Sequence, residues 1–259
     1  MNFISLQQLR RDVTEWAKSI PPHDCICGVE WSGMLPASIL ASAWGKSAMP
    51  LQMAYPGNGS LLVVDDSINY GGAMRLARAI APKDAHFAAV YAANEQIASQ
   101  VDYHFQILPQ PRFFEWNIWK HDLLAYACLD MDGIICDDCQ TADNDDGPRY
   151  ESFLKNAEPR YLPRITVSAI VTGRLEKYRE QTADWLSRHG VTCQRLHMMP
   201  MDTMQERRAY GIARFKSEVY SGSRYRLFIE SAQGQAQEIA KTTGKHVLLV
   251  PQSGEWRLL

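Results

Sequence analysis

Twice in this chain an uninterrupted apolar run stops directly on carboxylates. Leu61-Leu62-Val63-Val64 runs into Asp65-Asp66, and Tyr126-Ala127-Cys128-Leu129 runs into Asp130, with Asp132 two residues on. A short run that is apolar on both faces reads as a strand buried inside a parallel sheet. Open sheets of that kind bind ligands beyond the C-terminal ends of their strands, where these acids fall. Helical stretches separate the apolar runs, which implies crossover connections. The expected fold class is therefore α/β, with two doubly wound domains and mainly parallel sheets.

The 259 residues suit two domains of about 120–140 residues each. The character of the chain changes after Val101, at Pro109, Pro111 and the aromatic segment Phe113–Trp119. The division is placed at 1–120 and 121–259. The pattern predicts helices over 2–19, 35–44 (after a Ser32-Gly33 turn), 73–80 and 178–189, the last closed by Gly190. It predicts strands at 25–29, 61–64, 87–91, 126–129, 165–171, 226–229 and 247–250. Residues 137–149, acidic and rich in turn formers, read as a surface loop.

A net charge of −2 supplies no electrostatic reason for avid nucleic-acid or membrane binding. The N-terminus is amphipathic rather than a secretory signal, and no apolar run approaches the roughly 20 residues that span a bilayer. Six scattered cysteines suggest a reduced, cytoplasmic chain. Cys136-x-x-Cys139 with Cys25 and Cys27 offers four sulfur ligands on paper, but buried thiols in apolar runs are ordinary. The histidines show no metal spacing.

Asp65-Asp66-Ser67-Ile68-Asn69-Tyr70-Gly71-Gly72 follows the first run and precedes a helix. Glycines let backbone N–H groups approach an anion, and the helix N-terminus adds partial positive charge. The acids repel phosphate and suit hydroxyls or a hydrated metal. This stretch resembles the signature of type I phosphoribosyltransferases. The resemblance implies that Asp65 and Asp66 grip ribose hydroxyls while Ser67, Asn69, Gly71 and Gly72 wrap the 5-phosphate. Upstream, Gly28–Ala37, with Glu30, Trp31, Ser32 and Gly33 at its centre, is similar to the family's pyrophosphate loop, a tight turn before a helix. The family's long closing loop is missing here. Only residues 45–60 separate helix and strand, with Pro56-Gly57-Asn58-Gly59 as a tight tip. Phe114 and Trp116 offer flat faces to a base or fill a seam between the domains.

The second run resembles the haloacid dehalogenase superfamily, on the strength of Asp130-Met131-Asp132-Gly133, Thr172-Gly173-Arg174, Lys216 and Phe228-Ile229-Glu230-Ser231 in that order. The nearest likeness is the phosphatase domain of polynucleotide kinases, over 124–250. It implies Asp130 as nucleophile and Asp132 as general acid and base. Thr172 would bond the phosphoryl group, Arg174 would bind substrate phosphate, and Lys216 would neutralise charge beside Asp130. Asp130, Asp132 and Glu230 would hold Mg²⁺. Residues 131–171 leave room for only a small cap, and Ser231 stands where relatives offer a second acid.

The resulting expectation is a bifunctional enzyme of nucleotide metabolism, using small phosphoribosyl or nucleotide substrates. Phosphoribosyl transfer is joined to Mg²⁺-dependent phosphomonoester hydrolysis, and a homodimer is compatible with it. Two alternatives remain: a phosphatase regulated by a non-catalytic phosphoribosyl-binding domain, and a nucleic-acid end-processing phosphatase.

Overall fold

In the computed structural model the two apolar runs become the central strands of two separate sheets, and the structure describes residues 1–54, 59–140, 144 and 146–259, the side chain of Glu30 apart. The expected tip at 56–59 thus lies mostly outside the described residues, as do 141–143 and 145 of the expected loop. The chain divides into two compact units, Met1–Trp116 and Asn117–Leu259.

The first unit runs β1 (Asn2–Ile4), α1 (Leu6–Trp16), β2 (Cys25–Gly28), α2 (Glu30–Ala43), β3 (Ala48–Pro50), β4 (Leu61–Ile68), α3 (Gly72–Ile80), β5 (His86–Ala92), α4 (Glu95–Ala98), β6 (Tyr103–Ile107) and β7 (Arg112–Phe114). Five of these strands form a parallel sheet in the order β3-β2-β4-β5-β6. One face buries Leu9, Val13, Trp16 and Leu40 against Leu62 and Val64. The other buries Met74, Ala77 and Ala98 against Val63 and Phe87.

Three expectations are corrected here. The helix expected over 2–19 is a strand, then a helix: Asn2–Ile4 pair with Arg112–Phe114, and Ser5 caps α1 by accepting from the Gln8 amide. The tight turn expected at Trp31-Ser32-Gly33 is the opening of α2, which starts one residue after β2 ends. Gly33 makes this possible, because a Cβ there would meet the Val64 carbonyl oxygen at 2.5 Å. Pro36 lies inside the same helix, where its missing amide costs one intrahelical bond. Finally, β4 does not stop at Val64. Its ladder with β5 continues to Ile68↔Ala92, so Asp65, Asp66 and Ser67 are strand residues rather than loop residues.

The second unit runs β8 (Ala127–Leu129), α5 (Pro148–Asn156), β9 (Val167–Leu175), α6 (Arg179–Arg188), β10 (Cys193–Met199), α7 (Met204–Tyr210), α8 (Ile212–Ser221), β11 (Leu227–Glu230), α9 (Gln233–Thr243), β12 (Val247–Leu249) and β13 (Arg257–Leu258). Its sheet order is β10-β9-β8-β11-β12-β13, parallel apart from β13. Gly190 follows α6 at φ 68, a conformation glycine adopts freely. Helix α5 begins inside the stretch expected to be loop. No helix among the described residues is long and apolar enough to cross a membrane.

Candidate functional site

Strand order decides where each sheet can hold a ligand. Counted within the first unit's sheet, the order is 2-1-3-4-5, so the connections diverge between β2 and β4. Counted within the second, it is 3-2-1-4-5-6, so they diverge at β8. A crevice opens at such a reversal, beyond the strand C-termini. β4 delivers Asp65 and Asp66 to the first, and β8 delivers Asp130 to the second.

In the first unit both acids are buried. The Trp116 indole Nε1 donates to Asp66 Oδ2 at 2.5 Å, and the Asp66 amide donates to Asp65 Oδ1 at 2.9 Å. Burial pushes the Asp66 carboxyl above its ordinary range, while hydrogen bonds from Trp116, Asp65 and Ser67 pull the other way. Trp116 therefore seals an acid rather than stacking a base. Its other partner is Phe114, stacked at 4.8 Å, and Phe114 in turn stacks on Tyr91 at 5.7 Å, which leaves neither face of Phe114 open.

Beyond β4 the turn Asn69-Tyr70-Gly71 leads into α3, with Gly71 at φ 73 and no side chain capping the helix. A Cβ on Gly72 would meet nothing within 4 Å, so that position faces open space. The turn is held from behind. Arg112, buried, donates Nη2 to the Ile68 carbonyl at 3.0 Å and to Asn69 Oδ1 at 2.6 Å, and Nη1 to the Leu108 carbonyl. Burial lowers its guanidinium to about 10, with Asp66 opposing the shift. Asn69 also accepts from Gln110 at 2.8 Å, so its carbonyl oxygen is committed to protein partners. Ser32 is half-buried within α2, and Trp31 is 90% exposed. The side chain of Glu30 lies outside the described residues.

In the second unit, Lys216 on α8 lies between two carboxylates. Its Nζ stands 2.7 Å from Asp130 Oδ2 and 2.7 Å from Glu230 Oε2, all three groups being buried. The Met131 amide donates to Asp130 Oδ1 at 2.8 Å. Glu230 Oε1 accepts the amides of Ser231 and Ala232 at 2.9 and 3.0 Å. Burial first, and Glu230 second, push the Asp130 carboxyl well above its usual range against the pull of Lys216. The lysine itself is held above its ordinary value by the two acids, which outweigh burial.

Arg174 corrects an expectation. It lies in β9, is fully buried, and forks onto Asp132, with Nη2 to Oδ1 at 2.6 Å and Nε to the two oxygens at 3.1 and 3.2 Å. Its remaining contacts are Thr182 Oγ1 at 3.3 Å and Cys136 Sγ at 3.4 Å. Both Nη2 donors and Nε are thus engaged within the unit, and one Nη1 donor reaches Thr182. Thr172 is likewise fully buried, its hydroxyl accepting the Arg174 amide at 3.2 Å, while its neighbour Gly173 reaches the cavity wall. That cavity, about 130 Å³, is lined by Asp130, Asp132 and Lys216 and by three residues for which the sequence carried no motif: Asp138, Tyr150 and Arg207. Burial, followed by Asp132, raises the Asp138 carboxyl. Gly133, at φ 82, could not carry a Cβ without meeting Ser231 Oγ at 2.3 Å.

The three acids expected to hold Mg²⁺ are partly committed to cations and amides of the chain itself. Asp130 and Glu230 are spanned by Lys216, and Asp132 is taken by Arg174. Among the described residues no group of three or more His, Cys, Asp or Glu is arranged to hold a metal ion. Of the cysteines, Cys136 is buried, its thiol donating to the Met131 carbonyl and Asp132, and Cys25 and Cys27 are buried in the first unit.

No family model matches the chain, and no curated protein matches it. Among solved structures it is similar to the xanthine-guanine-hypoxanthine phosphoribosyltransferase of Helicobacter pylori, at 14% identity and TM-score 0.39, over 45% of this chain and 92% of that one. It is also similar to a purine phosphoribosyltransferase of Pyrococcus horikoshii Ot3, at 16% identity and TM-score 0.31, over 45% and 95%. The L. donovani hypoxanthine-guanine phosphoribosyltransferase is a third, at 16% and 0.31, over 42% and 86%.

Proposed function

We propose that this chain handles phosphate esters at two places. The first unit binds a phosphoribosyl compound and transfers its phosphoribosyl group between pyrophosphate and a base-like acceptor. The second hydrolyses a phosphomonoester through an aspartyl phosphate. One observation carries this reading: in each unit the strand at the topological reversal carries acids toward its C-terminal end, Asp65 and Asp66 within β4 and Asp130 just past β8.

For the second unit the chemistry follows from charge. Asp130 attacks phosphorus and the ester oxygen leaves as the alcohol with a proton from Asp132; water then attacks the acyl phosphate, returns a proton to Asp132, and releases phosphate with the Asp130 carboxylate restored. Lys216 offsets negative charge at the attacking oxygen, which it touches. Asp132, oriented by the Arg174 fork and lining the cavity, is placed to accept the proton of the hydrolytic water. For the first unit, the uncapped N-terminus of α3 and the open Gly72 supply anion-facing amides. Asp65 and Asp66 supply acceptors for hydroxyls once Trp116 yields.

A second reading is favoured by the sealed Asp66 and by the helix where a pyrophosphate turn was expected. The first unit then binds a phosphoribosyl ligand without turning it over and regulates the second. The experiment for both is phosphate and pyrophosphate release from a panel of nucleotides, sugar phosphates and phosphoribosyl pyrophosphate, with Mg²⁺ and with EDTA. Wild type is compared with Asp130→Asn and Asp66→Asn. Loss of phosphate release in the first variant alone, and of pyrophosphate release in the second alone, supports two catalytic sites. No phosphate release from any ester by the wild type sinks the hydrolase half.

A further inference from the structure

The two arginines at the second unit's cavity are treated in opposite ways. Arg174 is consumed by Asp132. Arg207, on α7, is 7% exposed and lines the same cavity as Asp130 and Lys216. Its Nη1 reaches the Gly173 carbonyl at 3.3 Å and its Nη2 reaches Asn144 Oδ1 at 3.2 Å, both long for a charged donor. Its Nε is buried with no hydrogen-bond partner. Among the described residues no carboxylate lies within ion-pair distance of it.

A guanidinium carries five donors and keeps its charge at any working pH. Buried donors in folded proteins find acceptors almost without exception, so an orphaned one lining a cavity marks the place of an acceptor that arrives from outside. The cavity is too small for a whole nucleotide and already contains an ammonium at its acid, which favours a compact oxyanion.

We propose that Arg207 receives the oxygens of the phosphoryl group in the second unit, the task that the sequence motif suggested for Arg174. The substrate class rests on the hydrolase reading above, but the binding does not require turnover. Arg207 reaches the site from α7, outside every motif of the sequence. It contacts Gly173 between Thr172 and Arg174, so the oxyanion it holds is brought to the motif without any side chain of the motif itself.

The test is a binding isotherm for inorganic phosphate on the full chain at constant ionic strength, with thermal midpoints recorded with and without phosphate. Wild type, Arg207→Gln and Arg207→Lys are compared. The wild type is expected to bind saturably, and the glutamine variant to lose about tenfold or more in affinity, the scale of hydrogen bonds to a charged group. Because the guanidinium is poorly satisfied without ligand, the variant's midpoint in chloride should change little, while phosphate should no longer raise it. The lysine variant keeps the charge but loses the fork, so it should fall between the two; it decides the matter if the glutamine variant does not fold. Absence of phosphate binding by the wild type, or equal affinity in the folded variants, overturns the proposal. A lowered midpoint with phosphate affinity intact makes Arg207 structural and overturns it too. Arg207-dependent phosphate binding with no ester hydrolysed would sink the hydrolase reading and leave this inference standing. Hydrolysis with kcat/KM unchanged in Arg207→Gln would do the reverse.

Discussion

Replacing Lys216 with methionine removes one charge and exposes two. The ammonium is the shared partner of Asp130 and Glu230, each 2.7 Å away, and the lysine side chain is only 2% exposed. Methionine fills the space of the stem but leaves two buried carboxylates facing each other. Removing one partner of a buried pair costs about 3–5 kcal/mol, and two broken contacts put the expected loss near the upper end. For a unit of this size that corresponds to a fall in its thermal midpoint of roughly 10–15 °C.

The loss must depend on pH, and its sign is fixed by the direction of the Asp130 shift. Its carboxyl already sits well above the ordinary range because of burial and Glu230. Without the ammonium it rises further. A carboxyl whose folded pKa exceeds its unfolded one takes up a proton more readily when folded. Stability is therefore lost as pH rises through the raised value and regained as pH falls. Thermal unfolding of wild type and Lys216→Met at pH 5 and pH 8 measures this. The deficit should be large at pH 8 and smaller at pH 5. A drop under about 3 °C at pH 8, or an equal drop at both pH values, would refute the account of Lys216 as a charge spanning two acids.

Three further outcomes follow from other contacts. Trp116→Phe keeps the stack on Phe114 but removes the donor to Asp66; a loss of about 1.5–3 kcal/mol, greater at pH 8 than at pH 5, is expected in thermal unfolding. Gly33→Ala drives a Cβ to within 2.5 Å of the Val64 carbonyl, so a loss of about 1–3 kcal/mol or more should appear in urea unfolding, and a neutral result would contradict the direct docking of α2 on β4. His23, buried against His86 with its Nε2 at 3.2 Å from that ring's Nδ1, has its pKa lowered mainly by burial. The unfolded chain then binds the proton more tightly, and stability present above about pH 6.5 is lost as pH falls below it. His23→Phe should flatten that acid limb in a stability-against-pH series.

The central strands were legible because a strand covered on both faces must be apolar throughout, as Leu61–Val64 and Cys128–Leu129 are. Their ends were not. Polar side chains begin at Asp65, but the backbone ladder continues to Ile68, and hydropathy registers only the former. The edge strand β6 escaped notice because its side chains alternate between covered and exposed without an apolar run, and β10 because only its last two residues, Met198 and Met199, are buried. Helix α8 was missed for a different reason: its buried face carries Lys216 and Ser217 beside Ala213 and Tyr220. A charge that belongs at the site breaks the 3.6-residue pattern that would reveal the helix around it. The order of Asp130, Asp132, Thr172, Lys216 and Glu230 was readable, as was the Lys216–Asp130 pair, but the pairing of Arg174 with Asp132 was not. Spacing says nothing of whether Arg174 turns to the substrate or to Asp132. Arg207 left no signal at all, because its role depends on an orphaned Nε that only coordinates reveal.

The two reversals treat their acids by different physics, and that difference bears on what each can bind. Asp66 is held by a neutral donor, the Trp116 indole, with the buried Arg112 guanidinium acting on it as well, so an anion in the first unit would be held by the amides at the start of α3 rather than by a cation at the acids. Such a site suits a ligand with hydroxyls at one end and phosphate at the other. Asp130 and Asp132 are each held by a cation, and Arg207 adds a third positive group to the cavity wall. Under the proposed mechanism, that site draws an oxyanion directly onto the carboxylate that attacks it. Attraction between the nucleophile's surroundings and a phosphate dianion is needed before any attack by an aspartate, since two like charges approach. Free phosphate should therefore bind to the second unit in preference to the first, and its binding should weaken when either Lys216 or Arg207 is neutralised.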